Sequence, residues 1–238
     1  MRYFISDLHM GHRNIINFER HQFATIEEHD NYIAMVIKNL ADKIAKSAKK
    51  KSYAESDEVW ILGDFGSVNY LYMIDWLRNA GAKTYFVYGN HDKQDNLSVF
   101  KEYFDEVYLY PVYLSQKLVV SHYPVAVYND TINVHGHLHG CKLKDINHVC
   151  VSIHVTNYQP LTDKYLDSIY SRLPKFTRRF LYEPWATDHQ FTQPKEDVVM
   201  DLNGNIDLSA SRLLQKLNTE RRIQEKDTYQ PYHGEGSF

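Results

Sequence analysis

Apolar residues along the chain follow two rhythms. Unbroken runs rich in aromatic and β-branched residues, YFIS at 3–6, VWIL at 59–62 and TYFVY at 84–88, each give way at once to Asp or Gly, as buried strands do where they enter loops. Between the first two runs, Ile33, Val36, Ile37, Leu40 and Ile44 recur at helical spacing behind a Thr25-x-x-Glu28 capping box, which predicts an amphipathic helix. A second helix is expected over 70–80, stopped by Gly81, and a third from about Asn96, carrying Phe100 and Phe104. The order to this point is strand, helix, strand, helix, strand.

The rhythm then changes. Strand-like pieces at 107–110, 118–121, 132–135 and 149–155 follow with little helix between them, so the pattern is α/β first and mainly β afterwards. Leu166, Ile169, Tyr170 and Leu173 give one more helical face, ended by Pro174. Residues 46–57 are polar, with Lys49, Lys50 and Lys51 adjacent, and read as a solvated loop. Composition shifts near Glu183-Pro184, which predicts a main domain over 1–183 and a C-terminal extension over 184–238. In that extension VVMDL and NIDL flank the hairpin turn Asn203-Gly204, Leu213, Leu214 and Leu217 suggest a short helix, and 222–238 are expected to fray. The charged aromatic stretch at 175–185 could stack nucleic acid, but ordinary packing with a solvated face is the expectation.

Composition narrows the classes. Twenty-seven Lys and Arg against 30 Asp and Glu give a net charge of −3, so charge does not point to a nucleic-acid binder. No apolar run approaches the ~20 residues of a membrane span, and the first strand begins directly after Met1, which predicts a soluble, cytoplasmic protein. Cys141 and Cys150 lack zinc or redox spacing and are expected to be free thiols.

The candidate chemistry sits at the ends of the strand-like runs. Asp7 and His9 lie in SDLHMGH, Asp64 in LGDFG, Asn90, His91 and Asp92 in GNHD, His122 in SHYP, and His137 and His139 in GHLH. Every one of these side chains can ligate a metal or move a proton. The intervals between groups, 55, 26, 31 and 15 residues, are each long enough for the chain to leave and return to one sheet edge. In an open α/β layer, groups just beyond the carboxyl ends of strands converge on a single crevice.

The series D-x-H, G-D, G-N-H-[DE], H and G-H-x-H, complete and in order over about residues 1–160, resembles the calcineurin-like metallophosphoesterases. The resemblance implies an α/β fold, a four-layer α-β-β-α sandwich of two mixed sheets flanked by helices. It implies that Asp7, His9 and His139 hold one divalent ion, that Asn90, His122 and His137 hold another, and that Asp64 bridges the two. Nitrogen and oxygen donors without thiolate suit Mn, taken first, with Fe, Zn or Ni as alternatives. Such an ion pair generates a bridging hydroxide that attacks phosphorus. His91 is then the expected proton donor to the leaving group, with Asp92 orienting its imidazole. His12, Asn90 and Arg13 are candidates for contacting the substrate phosphate, while Asn14 is expected to cap the segment from Ile15. His135 is expected to be structural, because Gly136 breaks its alternation with His137 and His139. Tyr113, Tyr123 and Tyr128 are read as ordinary core or surface residues rather than a base-stacking platform.

The function expected is therefore that of a phosphodiesterase acting on a nucleotide or another small soluble diester, with no membrane partner. The alternatives within the class are a phosphomonoesterase or nucleotidase and a nuclease. A catalytically silent metal-binding scaffold or regulatory protein is the alternative outside it.

Overall fold

The apolar runs pair as their composition requires. The computed structural model describes residues 1–48, 55–128, 130–141, 143 and 145–173, all within the unit Met1–Thr177. The lysine run at 49–51 and the expectations for 175–185 and for the extension 184–238 lie outside the described residues. The strands are β1 (Arg2–Ile5), β2 (Glu58–Leu62), β3 (Lys83–Val87), β4 (Glu106–Tyr108), β5 (Val112–Ser115), β6 (Leu118–Ser121), β7 (Ile132–His135), β8 (His148–Cys150) and β9 (Leu161–Thr162). The helices are α1 (Ile15–Phe18), α2 (Ile26–Ala48), α3 (Tyr72–Asn79), α4 (Leu97–Tyr103) and α5 (Asp163–Tyr170).

One sheet has the order β4-β3-β2-β1-β9, the other β5-β6-β7-β8. β1 to β4 run parallel and β9 pairs antiparallel with β1. In the second sheet β6, β7 and β8 run parallel, and β5 pairs antiparallel with β6. Both sheets are thus mixed and flanked by helices, the α/β class expected. Backbone bonds from Ser6 N–H to Val151 O (3.1 Å) and from Ile153 N–H to Ser6 O (3.0 Å) clip the end of β1 to the second sheet.

Alternation along each strand explains why the runs are apolar throughout. Tyr3, Ile5, Val59, Ile61 and Phe86 turn to the core shared with α2, α3 and α4. Their neighbours Phe4, Trp60, Leu62 and Val87 turn the other way and meet Leu118, Val120, Ile132 and Val134 of the second sheet, with Leu166 and Ile169 of α5 joining this core. Burying each aliphatic or aromatic side chain contributes ~1.5–3 kcal/mol.

The capping box at the start of α2 forms with a shift. Glu28 N–H donates to Thr25 Oγ1 (3.1 Å), but Glu28 Oε2 accepts from Ala24 N–H (2.8 Å), one residue before the cap. Helix α3 ends as expected at Gly81, whose φ of +90° is the left-handed cap geometry.

Four differences from the pattern are instructive. β5 and β9 carry no run of their own: β5 alternates half-buried and exposed at an edge, and β9 is two residues long. The expected strand 149–155 is shorter, because after β8 the chain crosses to bridge Ser6 through Ser152. Helix α2 runs on to Ala48 and takes in the start of the polar stretch. Asn14 stands at the N-cap of α1, but its side chain makes no capping bond there. Among the described residues no helix is long and apolar enough to cross a membrane.

Candidate metal centre

Because β1, β2 and β3 run parallel in one sheet and β6 and β7 in the other, each set delivers its carboxyl-terminal loops to a common edge. The loops are zipped by their backbones: Asp7 N–H donates to Gly63 O (3.0 Å), His9 N–H to Asp64 O (2.9 Å) and Met10 N–H to Phe65 O (2.9 Å). A side chain on Gly136 would put its Cβ 2.6 Å from Asp7 Oδ2, and one on Gly89 would put it 2.5 Å from Asp64 N, so both motif glycines permit close approach.

Asp7, His9, Asp64 and His139 offer ligand atoms that all lie within 4.8 Å of one another and can hold a divalent ion. His9 Nε2 lies 3.4 Å from His139 Nε2 and 3.5 Å from Asp64 Oδ2, and His139 Nε2 lies 3.7 Å from Asp7 Oδ1. Asp7 is held by His137 N–H, which donates to both of its oxygens (3.2 and 3.1 Å), and by the Ser6 hydroxyl.

Asn90, His122 and His137 form a second set beside the first. Asn90 Oδ1 is 2.9 Å from His122 Nε2 and 2.9 Å from His137 Nδ1. The His122 tautomer follows from its surroundings. Nδ1 faces the Leu62 carbonyl at 2.9 Å, which can only accept, so Nδ1 carries the proton and Nε2 a lone pair. That lone pair points at Asn90 Oδ1 and, at 3.5 Å, at Asp64 Oδ2. Around this buried imidazole and the partly buried contact to Asn90, acceptor against acceptor costs energy unless a cation lies among them.

Asp64 joins the two sets. Its Oδ1 accepts from His91 N–H (2.9 Å), whereas its Oδ2 is buried without a hydrogen-bond partner and lies 3.5 Å from both His9 Nε2 and His122 Nε2. Burial pushes the Asp64 carboxyl up, His122 opposes this and the Asp7 charge adds to it. His9 is held well below the usual histidine range, first by burial and then by neighbouring His139 and Arg20. It is therefore a neutral imidazole, the form that ligates.

The remaining expected residues fall into three places. His91 is exposed on the open side of the site, its ring centroid 5.3 Å from His9 and 5.6 Å from His12. His12 is half-buried and 5.4 Å from His9, lowered first by burial and then by His91. Arg13 is exposed beside it. His135 is buried with Nδ1 donating to Gly136 O (2.8 Å), and burial pushes it down to about 4, so it is a neutral structural residue as expected.

Asp92 has a different place from the one its sequence position suggests. Instead of orienting the His91 imidazole, its carboxylate accepts from three backbone N–H groups, Asp64 (2.8 Å), Gly89 (2.8 Å) and Phe65 (3.0 Å). It therefore clasps the loop after β2 to the loop after β3. Burial, then the Asp64 charge, push it up to about 6 against these three donors.

Five supporting residues went unread in the sequence. Arg20 is fully buried and donates to the carbonyls of Asp7 and Leu8 (3.0 Å to Leu8), with His29 Nε2 beside it. His29 Nδ1–H donates to Asp30 Oδ1 (2.8 Å), and Asp30 Oδ2 accepts from Gly11 N–H (3.0 Å). This chain of bonds holds the backbone of the first ligand loop. Glu19 Oε2 meets His139 Nδ1 at 2.6 Å and His154 Nε2 at 3.7 Å. His29 and Asp30 could have been found, because they precede Ile33 by four and three positions and so share the buried face of α2.

Comparison with known proteins agrees with this geometry. The family model for calcineurin-like phosphoesterases matches residues 3–219. An uncharacterized protein of Methanocaldococcus jannaschii is 28% identical over 177 residues, covering 67% of this chain and 85% of that protein. The gene 66 protein of Mycobacterium phage L5 is 29% identical over 93 residues, which is 38% of this chain and only 39% of the phage protein. A crystal structure of a protein of unknown function from Aquifex aeolicus superposes with a TM-score of 0.50 at 25% identity, covering 71% of this chain and 98% of that one. A match over most of the chain, on a fold that gathers the motif side chains at one edge, places this protein in the calcineurin-like phosphoesterase family.

Proposed function

We propose that the chain hydrolyses phosphate esters with two divalent ions, one in each ligand set, and that its substrate is a diester of a nucleotide or another small soluble molecule. The observation that carries the reading is Asp64 Oδ2, a buried oxygen without a hydrogen-bond partner that stands equally far from a nitrogen of each set. A single carboxylate oxygen so placed suits a bridge between two cations. When bound, the ions would activate a shared water and neutralise the phosphoryl oxygens.

The chain's own residues supply the rest. Asp7 and Asp64 return about −2 against the +4 of two divalent ions, which leaves a positive site for an anionic ester. His91, exposed and adjacent to the ligand Asn90, is free to deliver a proton to the leaving oxygen. His12, beside both His9 and His91, is placed to meet a phosphoryl oxygen, and Arg13 at the rim could add a second contact. Imidazole, carboxylate and amide-oxygen donors suit Mn, taken first, and equally Fe, Zn or Ni.

The test is a Mn2+-loaded panel of monoesters, diesters, cyclic nucleotides, single-stranded DNA and RNA, run with the wild type and Asp64→Asn. Diester turnover by the wild type is expected, together with loss of both ions and of activity in the variant. Silence across the panel with two ions bound would support the scaffold alternative. Unchanged Mn2+ stoichiometry in Asp64→Asn would overturn the bridging role.

A further inference from the structure

One cluster beside the centre is not explained by the motif residues. The two ring nitrogens of His139 face different surroundings. Nε2 lies among the first ligand set, 3.4 Å from His9 Nε2 and 3.7 Å from Asp7 Oδ1. Nδ1 meets Glu19 Oε2 at 2.6 Å, and the same carboxylate oxygen lies 3.7 Å from His154 Nε2. Nδ1 and Oε2 are both buried, in contact without full hydrogen-bond alignment, and neither has another hydrogen-bond partner. The rings of His139 and His154 stand 5.8 Å apart, with Glu19 serving both. Glu19 follows α1 and His154 follows β8, so neither belongs to the five motifs.

We propose that Glu19 is the positioning residue for His139, holding the proton on Nδ1 so that Nε2 presents its lone pair to the ion of the first set, while His154 steadies Glu19 from its other side. The inference rests on the metal-centre reading. A neutral imidazole has one N–H and can place it on either nitrogen, and only the Nδ1–H tautomer ligates through Nε2. A carboxylate facing Nδ1 selects that tautomer, fixes the ring plane and raises the basicity of the ligating nitrogen. His122 is oriented differently, with its Nδ1 facing the Leu62 carbonyl where that of His139 faces a carboxylate.

The competing use of the cluster is a third cation held by Glu19, His139 and His154, whose ligand atoms come within 4.8 Å of one another. That arrangement would make both nitrogens of His139 ligands at once and strip its remaining N–H proton. The 2.6 Å separation of Nδ1 and Oε2 also suits a shared proton better than two donors on one ion. Donors about 2.1 Å from an ion and at right angles stand about 3 Å apart.

The test is Mn2+ titration into metal-free wild type, Glu19→Ala, Glu19→Gln and His154→Ala, followed by calorimetry, with the His139 tautomer read from 15N NMR before metal is added. The wild type should bind two ions with His139 in the Nδ1–H form. Glu19→Ala should weaken one site by about 10- to 100-fold, spare the other and give a mixture of tautomers. Glu19→Gln should fall between, since its amide oxygen accepts a hydrogen bond without the charge, and His154→Ala should have the smallest effect. Wild-type affinity for both ions and an unchanged tautomer in Glu19→Ala would overturn the inference, as would a third Mn2+ equivalent lost with Glu19. Equal weakening of both sites with a lowered metal-free melting temperature would make Glu19 merely structural and overturn it too. Should Glu19→Ala fail to fold, Glu19→Gln decides by the same criteria. A wild type that binds no Mn2+ would instead overturn the metal-centre reading.

Discussion

His91 and Asp92 are neighbours with separate work. His91 is exposed and its backbone N–H is tied to Asp64, which leaves the imidazole available to a leaving group. His91→Ala should therefore keep both ions and lose on the order of 10² to 10⁴ in kcat on alkyl phosphate esters. The loss should shrink on nitrophenyl esters, whose leaving groups need no proton, and an equal loss on both would remove His91 from the proton-donor role. The motif positions were legible because their types and order are themselves the signal, but the role of Asp92 was not, since its three backbone partners appear only in the fold. Arg20, Glu19 and His154 were not, since a buried or half-buried polar residue that supports a loop leaves no periodicity, and its partners lie far along the chain.

Asp92 acts between elements, where its three accepted bonds join the loop after β2 to the loop after β3. Asp92→Ala would strand two buried backbone N–H groups, those of Asp64 and Phe65, at ~1–3 kcal/mol each and expose the half-buried one of Gly89, so a loss of about 2 kcal/mol or more is expected in urea unfolding of the metal-free protein. An unfolding midpoint equal to that of the wild type would show that water takes over these bonds. Element legibility followed burial in the same way. β1, β2 and β3 are covered on both faces and read as unbroken apolar runs, and α2 showed its stripe. The half-buried edge strand β5 and the two-residue β9 had too little buried surface to mark the sequence. The end of β8 was misjudged because apolar residues continue past it: Val151 and Ile153 remain buried while the chain crosses to Ser6.

At the scale of the whole molecule the candidate centre ties the two sheets together, since its side chains follow β1, β2 and β3 of one and β6 and β7 of the other. Any ion bound there prefers the folded state and stabilises it by mass action, about 2.7 kcal/mol at a hundredfold excess over Kd. Asp7, His9, Asp64, His137 and His139 all have φ between +47° and +66°, the left-handed region that costs a residue with a side chain roughly 1–2 kcal/mol. The backbone at the candidate ligands is thus strained, and under the proposed function stability and chemistry compete at the same backbone atoms. His9→Gly should leave the metal-free protein about 1 kcal/mol more stable than His9→Ala in thermal unfolding, while Mn2+ stabilises both variants less than the wild type. A search for tougher variants of this protein would therefore drift toward glycine at the positions the proposed centre can least spare.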